Sequence, residues 1–159
     1  MLIGLQRSFG TVHPTYLTPN EQYTHVSLWS LMCAPMLLGC DLWKLDDFTM
    51  SLIKNREIIA INQDTLGAPA RRIVRADSYE IWKRPLANGD FAVGLVNLYP
   101  LAKRIDLKFS DIGLEGSFKV RDAWRQKDEG VFSDGYSAEI PAHATKVLRM
   151  RSTSCTSCD

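Results

Sequence analysis

Any chemistry in this 159-residue chain must be built from a short inventory of carboxylates, histidines, cysteines and tryptophans. Asp46-Asp47 is the only adjacent aspartate pair, and adjacent side chains at a helix start diverge, so a capping role outranks acid/base work. Asp41 lies just past the carboxyl end of a predicted strand, where α/β folds place their sites, although a lone carboxylate there suits loop backbone as well as substrate. His13, His25 and His143 are far apart and lack metal-ligand spacing, which favours solvated or core roles. Cys33 and Cys40 sit in an apolar stretch and read as small buried residues, with a bridge between them the weaker alternative. Cys155-Thr-Ser-Cys158 lacks the second ligand pair or βαβ context of a zinc or redox site, so a frayed tail is expected. No G-x-S-x-G, P-loop or G-x-G-x-x-G occurs. Trp82 and Trp124 fall in predicted strands and are expected to pack inward, while Trp43, in a loop, is open to either reading.

The elements that must position these residues centre on His25 to Leu42. Thr18-Pro19-Asn20-Glu21 predicts a helix start with Thr18 as N-cap, Pro19 at the first helical position and Glu21 completing a capping box. The helix should run from Pro19 to Cys33 and be largely buried, because Val26 to Ala34 is apolar except for Ser27 and Ser30. Pro35 stops it. Met36-Leu37-Leu38 then reads as a short strand buried on both faces of a parallel sheet, ending at Gly39. Residues 1 to 18 look like a strand end followed by a loop. A second helix starts with Asp46 as cap and ends near Asn55, and Arg56 to Ile61 forms a third. Past Pro69 the period changes from helical to strand-like.

Strands are expected at Ala70 to Ala76, Ser78 to Leu86, Asp90 to Leu98, Arg104 to Phe109, Ser117 to Trp124, Gly135 to Ile140 and Thr145 to Met150. Asn88-Gly89 supplies a hairpin turn. Seven such strands suggest an antiparallel sandwich with Tyr79, Ile81, Phe91, Val93, Leu95, Ile105, Leu107, Phe118, Val120, Ile140 and Leu148 facing inward. The expected division is 1–66, 67–151 and a tail at 152–159. A net charge of +1, with basic and acidic residues interspersed, gives no electrostatic reason for nucleic acid or an anionic membrane as partner. No apolar run reaches the length of a membrane span, and the first residues have too short an apolar core for a secretory signal.

Three stretches carry a resemblance: Thr24 to Leu42, Asn55-Arg-Glu-Ile-Ile-Ala-Ile-Asn-Gln-Asp-Thr-Leu-Gly67, and Tyr79-Glu-Ile-Trp-Lys-Arg-Pro-Leu86. In order and spacing they resemble consecutive motifs of glycoside hydrolase family 27, the α-galactosidases. The resemblance implies an α/β remnant, the last segment of a TIM (β/α)8 barrel, followed by an all-β antiparallel sandwich. Met36 to Leu38 would be the last barrel strand, the helix before it the penultimate one, and Asp46 to Ile61 the closing helical segment. Members are retaining glycosidases whose two aspartates would precede Met1, and the reaction needs two carboxyl groups about 5 Å apart. No residue here matches either, so no catalytic residue is assigned and the chain alone is expected to be inactive. Met1-Leu2 resembles the end of the Asp-Pro-Asp-Met-Leu motif, which makes Met1 the one expected substrate-binding residue. Thr65 replaces the proline of the Asn-Gln-Asp-Pro-Leu-Gly motif.

No cofactor or metal is implied, and the expected partner is a galactoside or other glycan bound by the parent enzyme. Apolar surface in residues 1–66 is expected to be exposed and to permit self-association. The parent's sugar preference is open among α-galactosides, α-N-acetylgalactosaminides and β-L-arabinopyranosides. A parent of this family would be secreted, periplasmic or lysosomal. A non-catalytic carbohydrate-binding or structural sandwich is the alternative.

Overall fold

The computed structural model describes residues 1–8 and 10–153. Helix α1 (Pro19–Leu31) begins as its capping box dictates: Thr18 Oγ1 accepts from the Glu21 amide at 3.3 Å while Glu21 Oε2 accepts from the Thr18 amide at 2.8 Å. It stops two residues before Cys33, which takes a left-handed conformation (φ 55°) that no helix continues through. Helix α2 (Asp47–Ile53) is capped by Asp46, whose Oδ1 accepts from the Thr49 amide at 2.6 Å. Asn55 caps the start of α3 (Arg56–Asn62), accepting from Glu57 and Ile58 amides. The same side chain donates from Nδ2 to the carbonyls of Ala123 and Trp124, 68 and 69 residues away.

Two strands occupy the stretch expected to be loop. β1 (Leu5–Ser8) and β2 (Thr11–Pro14) form an antiparallel hairpin. The expected strand Met36–Leu38 forms no ladder: Met36 and Leu38 are half-buried and Leu37 is 74% exposed. Burial on both faces requires neighbours on both sides. Among the described residues, only Met1 pairs with this segment, through the bonds detailed below.

Helices give way to strands between Asn62 and Arg71. The strands are β3 (Arg71–Arg75), β4 (Tyr79–Pro85), β5 (Phe91–Asn97), β6 (Lys103–Lys108), β7 (Phe118–Asp122), β8 (Lys127–Phe132), β9 (Gly135–Ile140) and β10 (Thr145–Ser152). Six form an antiparallel sheet in the order β3-β4-β5-β10-β7-β8, and β6 pairs with β9 in a second sheet. Gly89 takes φ 82° in the hairpin turn between β4 and β5, as the Asn-Gly pair requires. The edge strand β8 was not anticipated.

Period-two alternation puts one set of side chains between the sheets. Ile81, Val93, Leu95, Val120, Leu148 and Met150 of the large sheet meet Ile105, Leu107, Tyr136 and Ile140 of the small one. Of the expected inward set, Tyr79 and Phe91 pack at the margin, partly buried. A second core lies on the other face of the large sheet, where Ala92, Ala123, Val147 and Leu86 meet Val26, Leu31, Ile58 and Ile61 of the helices. Trp82 and Trp124 are half-buried against this second core.

Candidate functional site at the Met1 edge

The residue expected to touch substrate, Met1, lies in an extended segment beside residues 37–39. Its nitrogen donates to the Leu37 carbonyl at 2.6 Å, and its carbonyl accepts from the Gly39 amide at 3.1 Å. One residue bonded to i−1 and i+1 of its neighbour is the hydrogen-bond pattern of a parallel pair. Met1 itself is 8% exposed and belongs to the second core.

Helix α1 holds both members of this pair. His25 Nε2 accepts from the Leu2 amide at 3.2 Å, and Trp29 Nε1 donates to the Pro35 carbonyl at 2.7 Å. The two rings lie 5.0 Å apart, one helical turn from each other. Burial holds the His25 pKa below its ordinary value, with the N-terminal amine a lesser cause, so the neutral ring that can accept the Leu2 proton is favoured. His25 is therefore a positioning residue.

Beyond the pair, Gly4 (φ 62°) reverses the chain into the β1–β2 hairpin, and a Cβ there would lie 3.0 Å from Thr49 Cγ2. Gln6 then forms an antiparallel bridge with Cys40, and the Asp41 amide donates to the Leu5 carbonyl at 2.9 Å. The two loops that follow Met1 and Leu38 are thus tied together. Asp41 Oδ1 accepts from the Trp43 amide at 3.2 Å and caps the short 3₁₀ turn Leu42–Lys44. This presents Trp43 at 96% exposure, and Tyr16, stacked on His13 at 5.0 Å, is 90% exposed.

The site can position and shape; its nearest aspartates are engaged with backbone. Asp41 and Asp46 each accept a backbone amide through Oδ1 as a cap. His13, His25 and His143 are not brought together, and among the described residues no group of three or more His, Cys, Asp or Glu could hold a metal. Cys33 and Cys40 are free and half-buried rather than fully enclosed, and burial raises the Cys40 thiol pKa. Cys155 and Cys158 lie outside the described residues. Sequence reasoning missed the role of His25, whose signal is its place one helical turn before Trp29 on a helix that backs two chain segments.

Two family models match adjoining parts of the chain: Alpha galactosidase A over residues 11–64, and Alpha galactosidase C-terminal beta sandwich domain over 76–150. The alpha-galactosidase of Cyamopsis tetragonoloba is 38% identical over 133 residues, which is 82% of this chain and 32% of that protein. The crystal structure of alpha-galactosidase I from Mortierella vinacea superposes with a TM-score of 0.84 at 30% identity, covering 89% of this chain and 38% of that one. A family 27 β-L-arabinopyranosidase from Geobacillus stearothermophilus superposes at 0.88 over 99% of this chain and 37% of its own, with 23% identity, and speaks for the fold. The chain spans about a third of the length of the curated relatives it matches.

Proposed function

We propose a function from one premise: the chain belongs to glycoside hydrolase family 27, of which it is a C-terminal portion. In this reading residues 1–66 are the closing segment of a (β/α)8 barrel and 67–151 the sandwich that follows. The complete enzyme hydrolyses terminal α-D-galactosyl residues with retention. Its nucleophile and acid/base are two aspartates on barrel strands outside this chain, and this chain contributes Met1 to the wall of the galactose pocket.

The parallel pairing of Met1 with residues 37–39 is the observation that carries the reading. It is what two adjacent strands of a barrel would show at their carboxyl ends, where barrel enzymes build their sites. Hydrolysis needs a carboxylate pair across the scissile bond, and the aspartates nearest this edge are engaged as caps, so the chain alone is expected to be inactive.

The test has two arms. The purified chain is assayed with an aryl α-galactoside, alone and then joined to an upstream barrel segment bearing the two aspartates. Activity should arise only in the joined protein, and Met1→Ala there should raise KM more than it lowers kcat. Turnover by the chain alone, abolished by Asp41→Asn, would overturn the proposal. Relative rates on α-galactoside, α-N-acetylgalactosaminide and β-L-arabinopyranoside by the joined protein identify the sugar.

A further inference from the structure

A concavity of about 500 Å³ lies along the seam between the first turns of α1 and the sandwich. Its size falls within the range of small-molecule sites. One wall is aromatic: Tyr23 and Trp124 meet edge to face with ring centres 4.7 Å apart, and Trp124 Nε1 donates to Ser27 Oγ at 2.8 Å, which fixes that ring. The facing wall is polar. Lys146 on β10 donates to Asp122 at 2.7 Å and to Glu129 at 3.1 Å, holding both carboxylates in place, and these partners outweigh burial in raising its pKa.

Arg125, whose guanidinium lies 5.7 Å over the Tyr23 ring and leaves Trp124 as the open aromatic surface, completes the rim with Lys127 and Glu139. Three cations thus face three carboxylates, so the cleft offers many fixed donors and acceptors with no net charge to select an ion. The walls are also held together. Asn20 Nδ2 donates to the Ala142 carbonyl at 2.9 Å, and Thr24 Oγ1 donates to the His143 carbonyl at 2.7 Å, so the β9–β10 turn is fastened to α1.

We propose that this cleft binds a neutral saccharide, at a place distinct from the Met1 edge. A pyranose ring has an apolar C–H face and a rim of hydroxyls, and an aromatic wall opposite a charge-balanced polar wall complements both. Every group the proposal invokes lies in this chain, so the proposal stands or falls separately from the glycosidase reading.

The 159-residue chain is titrated with methyl α-galactoside, methyl α-mannoside and a digalactoside, following tryptophan fluorescence and backbone amide shifts. At least one sugar should bind saturably with roughly millimolar affinity and shift amides in 122–129 and 139–146. Lys127 and Glu139 are exposed, so a Lys127→Ala/Glu139→Ala protein should keep its Tm and bind at least about tenfold more weakly. Glu129→Gln, which preserves shape, should weaken binding as well. No amide response in either segment with all three sugars, or undiminished binding by both variants, would overturn the proposal.

Discussion

Arg84 is fully buried in the second core, and its guanidinium is met by backbone and sulfur rather than by a carboxylate. It donates from Nη1 to the Ser30 carbonyl at 2.8 Å and the Ile61 carbonyl at 2.5 Å, and from Nη2 to Cys33 Sγ at 3.2 Å. One side chain on β4 therefore joins the C-terminal turns of α1 and α3, where the helix dipoles favour a cation. Arg84→Met keeps most of the apolar stem and removes these bonds. Each hydrogen bond from a charged donor is worth about 1.5–3 kcal/mol. Ile61 would lose its donor, whereas the Ser30 carbonyl keeps the Cys33 amide. Against this, Nε of Arg84 is buried without a partner, a cost of about 1–3 kcal/mol that the substitution relieves. With the three bonds taken at the low end of that range, about 4–5 kcal/mol together, and the relief at about 2 kcal/mol, the net loss is about 2–3 kcal/mol, or roughly 5–10 °C in Tm for a chain of this length. Urea and thermal unfolding measure the loss, and hydrogen exchange should show α1 and α3 losing protection before β5. A variant as stable as the wild type would refute the reasoning, because relief of the buried charge would then equal or exceed the bonds it makes.

Gly135→Ala should cost about 1–3 kcal/mol, because a Cβ at this position would lie 2.5 Å from the Leu107 carbonyl oxygen, an atom of strand backbone that cannot move aside; an unchanged urea midpoint would contradict it. Asp90 is buried, which raises its pKa, but hydrogen bonds from Arg151, Asn88 and Arg149 outweigh burial and hold it below the usual carboxylate value. The ionised form is therefore favoured by folding, and its contribution is complete above about pH 4 and lost as pH falls below that. Asp90→Asn should be less stable than the wild type by about 1–2 kcal/mol at neutral pH, with the gap closing in acid unfolding experiments; a gap independent of pH would exclude the ion cluster as its cause. The exposed Leu2, Tyr16, Leu37, Leu42 and Trp43 of the first half should drive reversible self-association, which Leu37→Ser/Trp43→Ser abolishes in sedimentation velocity; a wild-type chain that stays monomeric on concentration would refute it.

How far the sequence revealed this fold depended on whether the deciding interaction was local. The start of α1 and the β4–β5 turn were legible because Thr18, Pro19 and Glu21, or Asn88 and Gly89, supply the geometry themselves. The inward strand positions were legible because alternation encodes which face is buried. β8 was not: as an edge strand it is mostly exposed, reads Lys-Asp-Glu-Gly-Val-Phe, and has little apolar alternation to detect. The β1–β2 hairpin was hidden for another reason, since its first strand is ordered by Cys40 and Asp41 far along the chain. Asn55 and Arg84 show a different limit, since their partners lie up to 69 and 54 residues away and nothing in their own neighbourhoods announces them. Met1 was singled out through a motif alone, because a methionine side chain carries no chemical signal of a site.

The outer face of the six-stranded sheet bears on whether the sandwich is a self-sufficient module. An antiparallel sheet with one solvated face alternates apolar and polar residues, yet β5 is buried from Ala92 to Asn97 on both faces. The outward residues there are small or β-branched: Ala92, Gly94 and Val96 on β5, and Val147 beside them on β10. Gly94 allows the approach of Leu31, since a Cβ at that position would lie 2.5 Å from Leu31 Cδ1. A free-standing module would expose this face to water, where the strip would be an aggregation liability. Here the strip receives α1 and α3, whose Val26, Leu31, Ile58 and Ile61 it buries. The sandwich and the helices α1 and α3 therefore form one packed unit, so the stability of the six-stranded sheet and that of the helices are coupled through this strip.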